Sequence, residues 1–140
     1  MIETHDLTKY YGAKAAVDGI TFQAEKGEIL GFLGPNGAGK TTTMRILTCY
    51  LSPTRGTARV AGYDIFESPL EVRKRIGYLP ENVPLYQDMQ VSGYLDFVAS
   101  VKGVSSRGDR KKKILAVLED AGLTEVQNRI IGNLSKGYKQ

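Results

Sequence analysis

A glycine-rich octapeptide constrains this chain more than any other feature. Its sequence is Gly34-Pro35-Asn36-Gly37-Ala38-Gly39-Lys40-Thr41. It follows an apolar run, Glu28–Leu33, that is typical of a strand, and it leads into Lys40–Leu51, whose apolar residues have helical spacing. The glycines let the backbone curl with its N–H groups pointing inward, and the helix that follows adds the positive end of its dipole. The octapeptide is therefore predicted to bind an anion.

The octapeptide matches the P-loop pattern at every fixed position, which predicts contact with nucleotide phosphates. We expect Lys40 to reach the β- and γ-phosphates, Thr41 to ligate Mg²⁺ and Thr42 to contact the α-phosphate. A plain glycine turn is the alternative, but a lysine without an anion there would be costly. The motif alone does not choose among ATP, GTP and reaction types. The predicted phosphate-binding residues are Gly34, Pro35, Asn36, Gly37, Ala38, Gly39, Lys40, Thr41 and Thr42.

Strand-like and helix-like segments alternate along the chain. The predicted strands are Ile2–Leu7, Ile20–Gln23, Glu28–Leu33, Thr57–Ala61 and Ile76–Leu79. The predicted helices are Lys40–Leu51, a short helix to Arg75 with a Ser68–Glu71 capping box, Tyr94–Val101 and Lys111–Ala121. This order predicts an α/β fold of the P-loop NTPase type. We expect a mainly parallel sheet, an antiparallel β portion near the N-terminus and a helical segment at the C-terminal end.

Composition narrows the class of protein further. Hydrophobic residues make up 41% and charged residues 24% of the 140 residues, which indicates one folded domain rather than disorder. No apolar run is long enough for a bilayer and no signal peptide is visible, so we expect a cytoplasmic protein. The net charge of +4 does not separate ATP from RNA or an anionic membrane as ligand. Much of that charge lies at Arg107 and Arg110–Lys113, which we interpret as a solvated helix start.

Three short segments around the P-loop carry further signals. Lys9-Tyr10-Tyr11-Gly12 lies upstream of it and Ile76-Gly77-Tyr78-Leu79-Pro80-Glu81 lies downstream. The last segment is Leu134-Ser135-Lys136-Gly137-Tyr138-Lys139-Gln140. Together with the P-loop, these segments resemble the nucleotide-binding subunit of ABC transporters over essentially the whole chain.

The resemblance implies roles for single residues. It implies that Tyr11 stacks on the adenine ring of ATP, a contact of about 1 kcal/mol. Glu81 stands at the Q-loop position that touches the metal, so the implied Mg²⁺ contacts are Thr41 and Glu81. Ser135 and Gly137 match the signature Leu-Ser-Gly-Gly-Gln, which caps the γ-phosphate held by the opposite protomer.

The chain departs from the family pattern at three positions. Glu81 replaces a glutamine and adds a negative charge beside the phosphates. Lys136 and Tyr138 replace two signature residues, and Leu-Ser-Lys-Gly-Tyr is similar to a variant found among bacterial transporters. Purely structural alternatives stay open, because Tyr11 can pack at a strand end and the segment around Ser135 can be a loop before a helix.

The resemblance implies an ATP-binding subunit that couples ATP binding and hydrolysis to transport. It implies ATP and Mg²⁺ as ligands, a second nucleotide-binding subunit and membrane-spanning subunits as partners, and a place at the inner face of the membrane. No nucleic acid partner is expected. The apolar segment Val83–Val91 is a candidate surface for the membrane subunit, or it packs on its own core. The implied division is a core at 1–80, a Q-loop and helical region at 81–134, and the signature start at 134–140.

No residue of the chain matches the family's Asp-Glu pair or its switch histidine. That Asp helps to hold Mg²⁺ and that Glu polarises the attacking water, so we assign no catalytic residue. We expect a truncated piece of a longer subunit that binds ATP. Two alternatives stay open: a soluble ABC ATPase acting on ribosomes or DNA, and a non-catalytic nucleotide-binding fragment.

Overall fold

Strand β1, Ile2–Tyr11, lies inside a four-stranded antiparallel sheet. It pairs with β2, Lys14–Ala24, on one side and with β3, Arg55–Val60, on the other. The short β4, Tyr63–Asp64, extends the sheet beyond β3, which gives the order β2-β1-β3-β4. The computed structural model describes residues 1–140, which form two compact units, Met1–Tyr78 and Leu79–Gln140.

The core of the first unit lies between the sheet and two helices. These are α1, Lys40–Leu47, and α2, Pro69–Arg75. Apolar residues from β1, β3 and both helices are buried together, because each element presents one apolar face. The buried cluster comprises Leu7, Ile46, Leu47, Ala58, Val60, Ile65 and Val72.

Helix α1 ends four residues earlier than its apolar spacing predicts. The Thr48 hydroxyl donates to the Met44 carbonyl at 2.9 Å, and Cys49 takes a left-handed conformation with φ 57°. The Tyr50 N–H then donates to the Arg45 carbonyl at 2.8 Å. This reversal satisfies the last carbonyls of the helix and turns the chain out of it.

The capping box predicted at α2 is wrong. The Ser68 side chain makes no capping hydrogen bond. The Glu71 carboxylate instead pairs with Lys74 at 2.7 Å and with Arg75 at 2.6 Å. The hydrogen bond from Lys74, followed by that from Arg75, lowers the pKa of Glu71. Glu71 therefore prefers two cations on its own helix to the N–H group of the cap.

The predicted parallel strands are absent from the sheet. Glu28–Leu33 and Ile76–Leu79 are not paired as strands, and every pairing in the sheet is antiparallel. A strand is stable only beside a neighbour whose N–H and C=O groups it can reach, and no strand within residues 1–140 lies beside either segment. As a result Ile29 is 99% exposed and Leu33 is 92% exposed.

The second unit is helical. It contains α3, Val91–Val101, α4, Arg107–Asp120, and the short α5, Lys136–Lys139, with two 3₁₀ turns at Thr124–Val126 and Ile131–Asn133. Its own core is formed by Val91, Leu118, Val126, Ile131 and Leu134. None of the helices in the chain combines the length and the apolar character that crossing a bilayer requires.

Candidate functional site

The loop before α1 packs tightly against the sheet. Gly37 and Gly39 have φ values of 83° and 86°, in the region that favours glycine. A β-carbon on Gly39 would lie 2.2 Å from the Ala16 carbonyl oxygen, whereas one on Gly37 would meet nothing within 4 Å. Gly39 is therefore required both for its conformation and for the close approach of the loop to β2.

Most N–H groups of the loop have no partner in the chain. Ala38 N–H donates to the Pro35 carbonyl at 3.2 Å, and the first helical bond is Thr43 N–H to the Gly39 carbonyl at 2.8 Å. The other N–H groups from residue 36 to residue 42 make no hydrogen bond within the protein, and they belong to Asn36, Gly37, Gly39, Lys40, Thr41 and Thr42. A row of free donors at the start of a helix is a site for an anion.

Lys40 lies over the same loop. Its ammonium donates to the carbonyls of Gly34 at 2.5 Å and Pro35 at 2.7 Å. It makes no ion pair with any carboxylate of the chain. The site therefore combines free N–H donors with one cation that has no counter-ion.

Three consecutive threonines open α1 and differ in environment. Thr41 is exposed and its hydroxyl makes no hydrogen bond within the protein, while Thr42 is half-buried. Thr43 is fully buried and its hydroxyl donates to the Gly39 carbonyl at 3.0 Å. The sequence analysis did not predict a role for Thr43, whose hydroxyl holds the Gly39 end of the loop against the first turn of α1. The run of three threonines was the only available signal.

Tyr11 lies at the end of β1, where the chain turns into β2. It is 51% exposed and pairs in register with Lys14, two residues before the Ala16 that contacts Gly39. The Lys9 ammonium lies 5.8 Å from the centre of its ring. Tyr11 thus lies at the end of the β1–β2 hairpin, and the P-loop approaches the β2 strand of that hairpin at Ala16.

The other predicted site residues belong to the second unit. Ser135 caps α5, since its hydroxyl accepts from the Tyr138 N–H at 3.4 Å, and Gly137 is exposed in the same turn. Glu81 is exposed in the segment that precedes α3. Ser135 and Gly137 lie in one turn of the second unit, whereas Tyr11 and the P-loop both belong to the first unit.

The apolar segment Val83–Val91 divides between the two roles considered for it. Leu85, Met89 and Val91 pack on the core of the second unit. Tyr86 remains 58% exposed and contacts the rings of Tyr94 and Phe97 edge-on, at 6.1 and 5.6 Å. Three residues of the segment thus belong to the core or pack on it, and its exposed residues include the aromatic edge at Tyr86.

Comparison with known proteins identifies the family. A family model described as ABC transporter matches residues 17–140, which leaves out β1, the turn after it and the first three residues of β2. The chain belongs to the ABC transporter family. This membership confirms the resemblance found in the P-loop and in its flanking segments.

Individual members of the family align along the whole chain. The chain is 39% identical to the probable multidrug ABC transporter ATP-binding protein YbhF of Escherichia coli, covering 100% of the chain and 24% of that protein. It is 37% identical to the bacitracin transport ATP-binding protein BcrA of Bacillus licheniformis, covering 100% and 44%. The chain spans less than half the length of these curated relatives.

A solved ABC structure supports the fold. The structure described as the ATP binding subunit of an ABC transporter aligns with a TM-score of 0.83 and 28% identity, covering 99% of the chain and 57% of that structure. This similarity confirms the P-loop NTPase fold predicted from the order of elements. Within residues 1–140, the antiparallel N-terminal sheet and the helical C-terminal segment are the parts of that fold that form.

Proposed function

We propose that this chain is the ATP-binding part of an ABC transporter subunit. The loop at 34–42 carries the proposal, because its free N–H donors and the unpaired Lys40 ammonium fit the phosphates of a nucleotide. YbhF and BcrA are both named as ATP-binding proteins of transport systems. Their names favour a transporter over the ribosome or DNA alternative.

Each polar group of the loop has a task toward the phosphates. The N–H groups donate to phosphate oxygens, and the Lys40 ammonium leaves the Gly34 and Pro35 carbonyls for the more strongly accepting β- and γ-phosphate oxygens. The exposed ring of Tyr11 supports the adenine base by stacking. Phosphate and base are therefore recognised by separate residues, which experiments can separate.

The donor set fits Mg²⁺ that arrives with the nucleotide. The chain contains no group of three His, Cys, Asp or Glu side chains able to hold a metal ion. Mg²⁺ commonly combines phosphate oxygens and water with few protein ligands, and the free Thr41 hydroxyl offers one. The assignment of Glu81 as a second Mg²⁺ contact rests on the family resemblance alone. When bound, Mg²⁺ neutralises charge between the β- and γ-phosphates.

The partners follow from the second unit. We infer that the Ser135 hydroxyl and the N–H groups at the start of α5 face the γ-phosphate held by a second nucleotide-binding subunit. The aromatic edge of Tyr86 and Phe97 faces a membrane-spanning subunit, because exposed aromatic rings are typical of protein interfaces. These partners place the subunit at the inner face of the membrane.

Hydrolysis belongs to the complete subunit in this proposal. Complete family members act as ATPases, and none of the 140 residues has been matched to the carboxylate that activates water. This chain is therefore proposed to bind ATP without turning it over.

Calorimetric titration with Mg·ATP, and separately with tripolyphosphate, tests the central claim. Binding of both Mg·ATP and tripolyphosphate supports the loop as the site, because the two ligands share the phosphate chain. If neither ligand binds a chain whose circular dichroism shows the expected helices and strands, the proposal fails.

A further inference from the structure

A cluster of cations surrounds the start of α4. We define the basic patch as Lys102, Arg107, Lys111, Lys112 and Lys113, all of which are exposed. Lys102, Lys112 and Lys113 line one open cleft of about 480 Å³. Arg107 and Lys111 line another of about 300 Å³ on the α3 side of the helix.

The charged side chains of α4 are placed unfavourably with respect to the helix dipole. The positive end of a helix dipole lies at the N-terminus, so cations there are unfavourable and carboxylates are favourable. The first two turns of α4 nevertheless carry Arg107 and the run Arg110–Lys113, and its last turn carries Glu119 and Asp120. Asp109 is the only carboxylate in the first turns. A charge order that opposes local stability is typical of a functional surface.

The chain itself does not neutralise these cations. Arg110 pairs with Asp96 at 3.0 Å, and it lies partly buried beneath the patch. None of the five patch residues makes an ion pair, and Asp109, which lines the same cleft as Lys112 and Lys113, is the one carboxylate beside them. The patch thus presents five unpaired cations to the surroundings.

Exposed apolar side chains continue the patch along the helix. Leu115 is 49% exposed one turn after Lys111, and Val117 is 47% exposed one turn after Lys113. Ile114, Leu115 and Leu118 form the apolar part of the smaller cleft. The surface therefore offers hydrocarbon directly beside cations, which fits an anion that is itself amphiphilic.

The composition of α4 argues against nucleic acid. The helix Arg107–Asp120 has no aromatic ring on which a base can stack. Charged headgroups beside hydrocarbon match its pattern better than stacked bases do.

We propose that the basic patch docks on anionic phospholipids of the membrane beside which the subunit works. This inference rests on the proposed transporter function, which brings the subunit to the cytoplasmic leaflet and its negative surface potential. The N-terminal half of α4 approaches the headgroups, while Glu119 and Asp120 at the far end stay in water. Leu115, which lines the smaller cleft with Arg107 and Lys111, contacts the headgroup boundary.

Vesicle co-sedimentation of the 140-residue chain tests the proposal. The chain is mixed with vesicles of phosphatidylcholine alone and with vesicles that also contain phosphatidylglycerol. We expect binding only to the anionic vesicles, weakening as salt is raised. A Lys111→Gln, Lys112→Gln, Lys113→Gln variant should bind about a hundredfold more weakly at low salt. Removing cations from the start of the helix leaves it folded, so the loss is not an unfolding effect.

A matched variant separates the patch from net charge. Lys26→Gln, Arg59→Gln and Arg129→Gln together remove three exposed cations that make no ion pair, and they should leave vesicle binding nearly unchanged. Equal losses in the two triple variants, or stronger binding to duplex DNA than to anionic vesicles, would overturn the proposal. ATP titration of the same samples distinguishes the two claims, because failure to bind ATP refutes the proposed function and failure to bind vesicles refutes only the lipid surface.

Discussion

The Lys40 ammonium lies 2.7 Å from the carbonyl oxygen of Pro35, within its own P-loop. A second carbonyl, that of Gly34, accepts from it at 2.5 Å. Neutral carbonyls are weaker partners for an ammonium than charged oxygens are. An arriving phosphate therefore replaces them readily, and the lysine side chain is bound locally until it does.

Lys40→Ala should weaken Mg·ATP binding by about one to two decades, since a charge-assisted contact of roughly 1.5–3 kcal/mol is lost. The fold should persist, because the Lys40 side chain is outside the buried cluster. Calorimetric titration measures the effect, with Lys26→Ala as the control for an exposed lysine of the same unit. An unchanged affinity of Lys40→Ala for Mg·ATP would refute the assignment of this loop as a P-loop.

Tyr11→Ala should weaken ATP binding and leave tripolyphosphate binding nearly unchanged. The ring is 51% exposed, so it is available for the base and contributes little to the core. Parallel titrations with the two ligands check this, and Tyr50→Ala supplies a control on another exposed tyrosine. Equal losses for both ligands would instead make Tyr11 a folding residue.

Gly39→Ala should destabilise the chain more than Gly37→Ala. Both positions have φ above 80°, which costs an alanine about 1–2 kcal/mol. Only at Gly39 does the new β-carbon also meet a backbone carbonyl, at 2.2 Å, and that clash adds roughly 1–3 kcal/mol. Urea unfolding of both variants measures the difference, and equal midpoints would contradict the packing of the loop on β2.

Asp64 should make the stability of the chain sensitive to acid. Desolvation raises its pKa, but the Phe66 N–H, the Thr57 hydroxyl and the Glu67 N–H together outweigh this and lower the pKa below its ordinary value of 3.8. The folded-state pKa of Asp64 is thus below its unfolded-state pKa. The stabilisation from the ionised carboxylate is therefore complete above the unfolded-state pKa, and it is lost as the pH falls through the lower, folded-state pKa. Asp64→Asn should lower the urea midpoint at neutral pH. In strong acid the midpoints of the variant and the wild type should lie closer together. A difference that does not depend on pH would contradict this.

The 140-residue chain should bind Mg·ATP and release no phosphate at a useful rate. The loop that grips the phosphates is present, whereas no residue has been matched to the water-activating carboxylate. Phosphate release from the chain and from a complete subunit, at equal concentration, gives the comparison. Turnover at the rate of the complete subunit that disappears with Lys40→Ala would show that the catalytic group is already present.

Local signals predicted much of the first unit. Strands were predicted within β1, β2 and β3, although only four residues of β2 were included, and the P-loop pattern located the start of α1 at Lys40. These features depend on neighbours in sequence, so a single chain reveals them. The end of α1 was not visible, because it depends on the left-handed turn at Cys49, a residue type that does not signal such a turn.

Non-local features could not be predicted in the same way. Glu28–Leu33 has the composition of a buried strand, yet strand formation needs a partner that local composition cannot supply. The contact between Gly39 and Ala16 joins two elements distant in sequence, and no pattern near either residue announces it. The assignments of Tyr11, Glu81, Ser135 and Gly137 came from the family resemblance, and their roles stay predictions.

The exposure of Ile29 and Leu33 affects how the purified polypeptide behaves in solution. Their positions, four residues apart, place both side chains on the same side of an extended segment. Such a strip has unused backbone groups beside exposed hydrocarbon, so a second molecule can pair along it. Self-association should therefore increase with protein concentration and with kosmotropic salt, which sets an upper limit on the concentrations at which binding constants are measured.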